Sequence, residues 1–395
     1  MSQPPALPRD SAGENLPSVD QQYLWQTLRL AEKALGHTRP NPLVGAVVVR
    51  DGEVVGTGYH QRAGEAHGEA AAIVEAGERC EGATLYVNLE PCCHHGRRAP
   101  CTDLIISSKI RRVVAGTLDP NPLVNGRGFA ALRAAGIEVS LAGPRLRKEC
   151  IEVNAAFFRY ITDKRPLVTA KYAMSLDGKI ATKSGDSKWI TGPEARAYAH
   201  ELRATHDAVL VGSGTLAADN PSLNVRLNPG ARQPLRVVLV PREGGYRVDT
   251  EWNVLTTNGG PTLLVVPHEH LDAANAALAG YSPARAKAVG VAATEAGHID
   301  VGALFATLAG LDIMSVLVEG GGTLLSSLWE ASLVDRVTAF VAPVVVGGRD
   351  AKTPFDGVGA EQIADAVRLE EPEVRRLGRD LAISAWVQRP TLPEA

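Results

Sequence analysis

The sequence predicts two α/β units in one chain. Three observations lead there. A length of 395 residues exceeds what one ordinary core supports. Short apolar, β-branched runs alternate with helix-patterned stretches along most of the chain. Apolar residues make up 45% and charged residues 22%, the balance of an ordinary globular protein. The expected boundaries are a disordered tail over 1–18, a first unit over 19–145, a helical connector over 146–165 and a second unit over 166–395.

The elements follow in order. Residues 20–36 carry apolar positions at helical spacing and stop at Gly36. Residues 44–50 and 53–59 flank Asp51-Gly52, a hairpin signal, because glycine takes the positive φ such a turn demands. An Ala-rich helix is expected over 68–77, then a strand over 84–89 and a short helix over 102–108. A strand over 111–116, a helix over 129–136 and a strand over 137–142 complete the first unit. Residues 145–165 read as helix and end before Pro166. In the second unit, strands are expected over 166–175, 208–212, 235–240, 262–266, 313–320 and 337–347, separated by helical or turn-rich stretches. That alternation predicts a mostly parallel sheet. Thr191 and Glu194 read as a capping box, with Pro193 in the first turn of the helix. Residues 268–298 are weakly patterned and are expected to be variable surface structure.

A net charge of -3 disfavours charge-driven binding to nucleic acid or anionic membrane, although a local basic patch can still hold a phosphate. No apolar run is long enough to span a bilayer, and residues 1–17 lack the apolar segment of a signal peptide. Five cysteines are too few and too unevenly spaced for a secreted disulfide framework. A cytoplasmic setting is the expectation. Cys92, Cys93 and Cys101 crowd together, which points to metal, whereas Cys80 and Cys150 are assigned to packing.

The chemistry concentrates in His67-Gly68-Glu69 and in the segment from Pro91 to Cys101. A catalytic zinc ion wants three N or S ligands and one open position. His67, Cys92 and Cys101 supply such a set, and Glu69 at a helix start can face a bound water and carry its proton to a leaving amine. A closed structural zinc site, with Glu69 a solvated helix-start charge, is the bland alternative. Cys92 could also pair with His95 in place of Cys101. His37, His60 and His94 have no spacing that marks them as ligands. Asn41, in Asn41-Pro42, is a turn initiator or a pocket residue.

His-x-Glu with Pro-Cys is the signature of zinc-dependent base and nucleoside deaminases. In the longer form found here, PC-x-H-x-G-R-x-x-P-C, it resembles the deaminase half of the bifunctional riboflavin-biosynthesis deaminase/reductase family. That resemblance implies Cys101 as the third ligand and Asn41 as a substrate contact. Gly68 and Cys93 stand where the family more often has Ala and Ser.

The second half carries four motifs in order: SLDG after a strand, SGDSxWITG, VGxxTxxxDxPxLxxR, and EGGGTL after a strand. The triple glycine 320–322 alone is weak, since any tight strand–helix turn wants glycine, and it does not match GxGxxG. The order of the four resembles the reductase half of the same family. That implies a fold similar to dihydrofolate reductase beside a cytidine-deaminase-like α/β/α unit, with NADPH as hydride donor. Ala173, Trp189, Thr215, Asp219, Gly321, Gly322, Thr323, Leu324 and Leu325 are then implied to touch the cofactor. Ser187, Arg203, Leu223, Arg226 and Glu319 are implied to touch substrate, the two arginines being suited to its phosphate. Lys171 is implied to reach the ribose. Lys171 and Glu319 are the candidates for the proton of the reduction. Trp189 could instead be core, Arg203 a solvated helix charge, and Asp177 a turn former rather than an acid. Pro241 stands where the family often has a small polar residue.

The resemblance spans nearly the whole chain. It implies deamination of 2,5-diamino-6-ribosylamino-4(3H)-pyrimidinone 5′-phosphate followed by reduction of the ribosyl group, on a small-molecule substrate, in a homo-oligomer, with no nucleic-acid or membrane partner. One rival reading is a nucleoside or tRNA base deaminase fused to a reductase. The other is a structural zinc module fused to a nucleotide-binding regulatory domain.

Overall fold

The computed structural model describes residues 16–94, 99–227, 230–242 and 245–388. The tail expected over 1–18 lies outside that range except for its last three residues, and Ser18 already opens a helix. The chain divides into two compact units, Met1–Lys164 and Arg165–Ala395. Among the described residues, no helix is long and apolar enough to cross a membrane.

The first unit runs α1 (Ser18–Glu32), β1 (Gly45–Arg50), β2 (Glu53–Tyr59), α2 (Gly68–Ala76), β3 (Thr84–Val87), α3 (Cys101–Ser107), β4 (Arg112–Ala115), α4 (Arg127–Ala134), β5 (Glu138–Leu141), α5 (Pro144–Val153) and α6 (Ala155–Asp163). Its sheet has the order β2-β1-β3-β4-β5. β1 is antiparallel to both neighbours, and β3, β4 and β5 are parallel. The β1–β2 turn has φ 51° at Asp51 and 82° at Gly52, as a tight hairpin of this hand requires.

Val47 and Val49 pack with Leu24, Leu28, Leu146 and Cys150 on one face of that sheet. Ala46 and Val48 turn to the other face by alternation, opposite Gly58 and Gly56 of β2. There α2 lies directly on strand backbone: a Cβ on Gly58 would sit 2.4 Å from the Gly68 carbonyl oxygen and 2.7 Å from the Ala71 Cβ. This close seating fixes the start of α2, where His67 and Glu69 stand. Gly58→Ala forces helix and strand apart and is expected to destabilise the chain by roughly 1–3 kcal/mol, read as a lower urea midpoint at unchanged slope.

The stretch expected as a connector belongs to the first unit. Leu146 and Cys150 are core residues there. Asn154, between α5 and α6, accepts the Leu43 amide at 2.7 Å and donates to the Leu43 carbonyl at 2.9 Å. An amphipathic helix reads alike as linker or as outer layer, and burial decides.

The second unit runs β6 (Leu167–Ser175), α7 (Pro193–Thr205), β7 (Ala208–Val211), α8 (Ser213–Asp219), β8 (Leu235–Leu239), α9 (Asn253–Thr256), β9 (Thr262–Pro267), α10 (Leu271–Ala277), β10 (Ala286–Val291), α11 (Val301–Gly310), β11 (Ser315–Val318), α12 (Gly322–Glu330), β12 (Arg336–Ala342), β13 (Glu373–Leu377) and β14 (Asp380–Trp386). The nine-stranded sheet has the order β10-β9-β8-β7-β11-β6-β12-β14-β13. Its strands are parallel from β10 through β12, and β14 and β13 close one side as an antiparallel hairpin. The central strands are buried on both faces, which explains their largely apolar runs, with Arg236 of β8 the buried charged exception.

Two sequence expectations fail here. Residues 268–298 hold α10 and the strand β10, paired residue by residue with β9. Its small, partly exposed residues, Ala286 to Val291, leave little periodic signal because it is an edge strand. The capping box does not form. Gly192 is the N-cap of α7 with no side-chain cap, and its amide donates at 2.6 Å to Asp380 Oδ2, 188 residues away. A long-range carboxylate has overridden a local pattern.

Candidate active sites

In the first unit, three ligand atoms converge: His67 Nδ1 and the sulfurs of Cys92 and Cys101 lie within 4.8 Å of one another. His67 precedes α2, Cys101 opens α3, and Cys92 comes from the loop after β3. The His67 Nδ1 to sulfur distances are 3.6 Å for Cys92 and 3.3 Å for Cys101. Tetrahedral zinc with ordinary Zn–S and Zn–N bonds would set that spacing at about 3.5 Å. The Cys101 amide donates to Cys92 Sγ at 3.4 Å. A hydrogen bond from the Cys101 thiol draws Cys92 well below the ordinary thiol range against the cost of burial, with His67 helping, while the same bond and burial push Cys101 up. A resident thiolate suits a cation.

Glu69 is only 2% exposed, and its Oε2 has no hydrogen-bond partner. Burial pushes its carboxyl above the ordinary value, with the charge of Cys92 adding to the effect and His67 opposing it. Three ligands and one buried, unpartnered carboxylate oxygen beside them fit a zinc ion with an open fourth position.

Around this centre stand residues that sequence reasoning passed over. The His60 ring packs edge-on against His67 with centroids 5.3 Å apart. It also joins Asn41 Nδ2 at 3.0 Å and the Ala66 carbonyl at 3.0 Å. Asn41 is thus one ring away from a metal ligand. Asp119 is buried; burial, with the charges of Glu90, Cys92 and Glu69 around it, pushes its carboxyl up to about 7. Its only sequence signal is the turn Asp119-Pro120-Asn121-Pro122.

The second unit holds a cleft of about 1260 Å³ along the carboxyl ends of the parallel strands, where ligands of open α/β sheets bind. At its floor, Glu319 follows β11. Arg203 Nε and Nη2 donate to its two oxygens at 2.5 and 3.0 Å, and Lys171 Nζ lies 3.5 Å away. Burial opposes the Glu319 charge, but the Arg203 and Lys171 cations outweigh it and hold the carboxyl at about 2. Arg203 also donates to the Asn224 carbonyl at 3.0 Å, so it is a fixed part of the floor rather than a solvated helix charge. At the N-terminus of α12, a Cβ on Gly322 would meet Asp356 Oδ2 at 2.2 Å and the Thr353 carbonyl oxygen at 2.7 Å. Only glycine fits there.

The family model for the cytidine and deoxycytidylate deaminase zinc-binding region matches residues 17–117, and that for the RibD C-terminal domain matches 166–383. Riboflavin biosynthesis protein RibD of Aquifex aeolicus is 42% identical over 92% of this chain and 98% of its own length. The Escherichia coli protein of that name is 38% identical over 92% and 98%. Among solved structures, a diaminohydroxyphosphoribosylaminopyrimidine deaminase/5-amino-6-(5-phosphoribosylamino)uracil reductase from Thermotoga maritima has a TM-score of 0.81 at 36% identity, covering 94% of this chain and 99% of that one. Acinetobacter baumannii RibD has a TM-score of 0.81 at 34% identity with the same coverage. The chain belongs to the RibD family.

Its first unit is a cytidine-deaminase-like domain fitted for zinc, and the RibD C-terminal domain implies a nicotinamide cofactor for the second. The residues that the resemblance assigned to the RibD reductase come together in the one cleft: Lys171, Ala173, Ser187, Trp189, Arg203, Thr215, Asp219, Leu223, Arg226, Glu319 and Gly321 through Leu324 all line it. Leu325 does not. It is fully buried in the core, and its amide is spent on the Gly321 carbonyl. Trp189 is 72% exposed, with the Arg196 guanidinium 4.7 Å from its ring centre, which removes the core reading. Leu223 is 2% exposed and takes φ 50°, so it is held in the core beneath the cleft wall. Arg226 is exposed, with Nη1 on Asn224 Oδ1 at 2.8 Å. Asp177 is a turn former: it accepts the Ser175 hydroxyl and the amides of Val346 and Gly347, which hold it at about 2. His95, the alternative ligand, lies outside the described residues.

Proposed function

We propose that the chain is a bifunctional enzyme of riboflavin synthesis. The first unit deaminates 2,5-diamino-6-ribosylamino-4(3H)-pyrimidinone 5′-phosphate with water, releasing ammonia. The second reduces the ribosyl group of the product to ribityl at the expense of NADPH. The observation that carries this reading is the His67, Cys92, Cys101 triad with the unpartnered Glu69 oxygen beside it.

A zinc ion on the triad would supply the Lewis acidity that makes water a nucleophile near neutral pH. Glu69 Oε2 would take a proton from the water as its oxygen adds to the ring carbon, and would give a proton to the amine as the carbon–nitrogen bond then breaks and ammonia leaves. Its burial favours the protonated form needed for the second half of the shuttle. We assign Asn41, whose Nδ2 is held against His60, to hydrogen-bond the pyrimidine, as the resemblance implies.

In the cleft the nicotinamide supplies the hydride. Glu319, ionised between two cations, acts as their counter-ion and not as an acid. Lys171 Nζ is therefore the group with a proton to give as hydride reaches the opened ribosyl carbon. Arg226, exposed at the cleft wall, suits the substrate phosphate better than Arg203, whose donors are committed to Glu319 and Asn224. NADPH is favoured as the donor by the ordered reductase motifs. Ala173, Thr215 and Asp219 line the cleft where the resemblance implies cofactor contacts.

The test follows ammonia and NADPH together on the purified full chain with that substrate. Ammonia without NADPH present, and NADPH oxidation only after deamination, support both sites and their order. Zinc-loaded chain that does neither overturns the reading, and NADPH oxidation without ammonia rejects the first half.

A further inference from the structure

Glu90 stands between the end of β3 and the ligand Cys92 and is 3% exposed. Its acceptors are spent on backbone amides. Oε2 takes Asp119 at 3.2 Å and Gly126 at 2.9 Å, and Oε1 takes Phe129 at 3.1 Å. Its own amide donates to the Thr117 carbonyl at 2.9 Å. These bonds tie down both ends of the 117–126 loop and the first turn of α4. The loop reaches the metal site: buried Asp119 lies within electrostatic range of Cys92 and Glu69. Its Leu123 carbonyl also accepts from Cys93 Sγ at 3.7 Å. At Gly128 the chain passes so close that a Cβ would meet the Pro91 carbonyl oxygen at 2.3 Å and Glu90 Oε1 at 3.0 Å.

A carboxylate accepts at both oxygens and brings no donor. Glutamine brings an NH₂ that must face one of the three amides, whichever way it is turned, and leaves it without a partner in a buried place. We propose that Glu90 is a positioning residue of the deaminase, a clamp that holds the 117–126 loop as a wall of the metal site and thereby sets affinity for the aminopyrimidine. The inference rests on the deaminase reading above. Glu90 contributes no ligand to the triad, so the clamp acts on substrate and not on metal loading.

The experiment is steady-state deamination by full-length Glu90→Gln, with zinc content and NADPH oxidation on pre-deaminated substrate measured beside it. KM is expected to rise about tenfold, while kcat stays within about threefold. Zinc stays stoichiometric and the reductase is unaffected. Hydrogen exchange adds a direct reading: the amides of Asp119, Gly126 and Phe129 are expected to lose protection in the variant. If Glu90→Gln is not recovered folded, Glu90→Asp, which withdraws the acceptor by one methylene, is read in the same way. An unchanged KM, zinc lost in step with activity, or three amides still protected overturns the clamp. Zinc-loaded wild-type chain that releases no ammonia faults the deaminase reading instead.

Discussion

Glu69→Gln is expected to slow ammonia release by about 10²–10⁴-fold while zinc content and NADPH oxidation on pre-deaminated substrate are unchanged. Glutamine keeps the size of the side chain and cannot carry a proton. The position is exacting: Glu69 sits in the first turn of α2, buried, with one oxygen unpartnered beside the triad. The helix start is fixed by the contact of α2 with the β2 backbone at Gly58, so a variant side chain stays where the native one was. Ammonia release that survives the substitution would show that Glu69 does not handle the proton and that another group does. The intact second unit serves as the internal control for folding.

Glu319→Ala is expected to be the most damaging change in the second unit. It leaves Arg203 and Lys171, only 14% and 16% exposed at their side chains, without their common counter-ion. Removing one partner of a buried ion pair costs about 3–5 kcal/mol, and reduction is expected to fall below detection as the cleft floor reorganises. The pH dependence has a definite sign. Glu319 titrates at about 2 in the folded chain against an ordinary 4.5. Its contribution is therefore complete above pH 4.5 and is lost as pH falls from there through 2. Urea midpoints of wild type and variant should differ by a constant amount from neutral pH to 4.5, then converge on acidification. A gap that persists unchanged to pH 3 would mean that the ionised carboxylate is not what stabilises the floor.

Much of this molecule is legible in its sequence because its strongest features are constrained by chemistry type or by burial. Few residues can ligate zinc, so His67, Cys92 and Cys101 stand out even in an enlarged loop, and the structure brings the three together. Strands covered on both faces are mostly apolar, so β7, β8, β9 and β11 declare themselves. What escapes notice depends on distant partners. The Thr191 to Glu194 pattern is locally sound, yet a carboxylate from β14 takes the amide at the helix start. Asn154 binds a backbone 111 residues away, which turns an expected connector into part of a core. Glu90 carries no signal in the sequence, and its role shows only where the amides of Asp119, Gly126 and Phe129 meet its carboxylate. The motif carries the cofactor assignment on to Leu325, whose side chain is buried in the core and does not line the cleft.

The seating of α2 on bare strand backbone bears on how selection experiments with this enzyme should be interpreted. At Gly58, as at Gly322 in the other unit, the nearest atoms leave no room for even a methyl group. Every codon change that alters these residues adds atoms, and none removes any. A mutational library screened for growth would thus return both positions as intolerant, alongside Glu69 and the triad. A reader of such a map would be tempted to give all of them roles in the reaction. The distinction lies in what is lost: at Gly58 the clash is with the backbone of α2, so folding and both activities fall together, whereas loss of the proton carrier stops ammonia release in a chain that still folds.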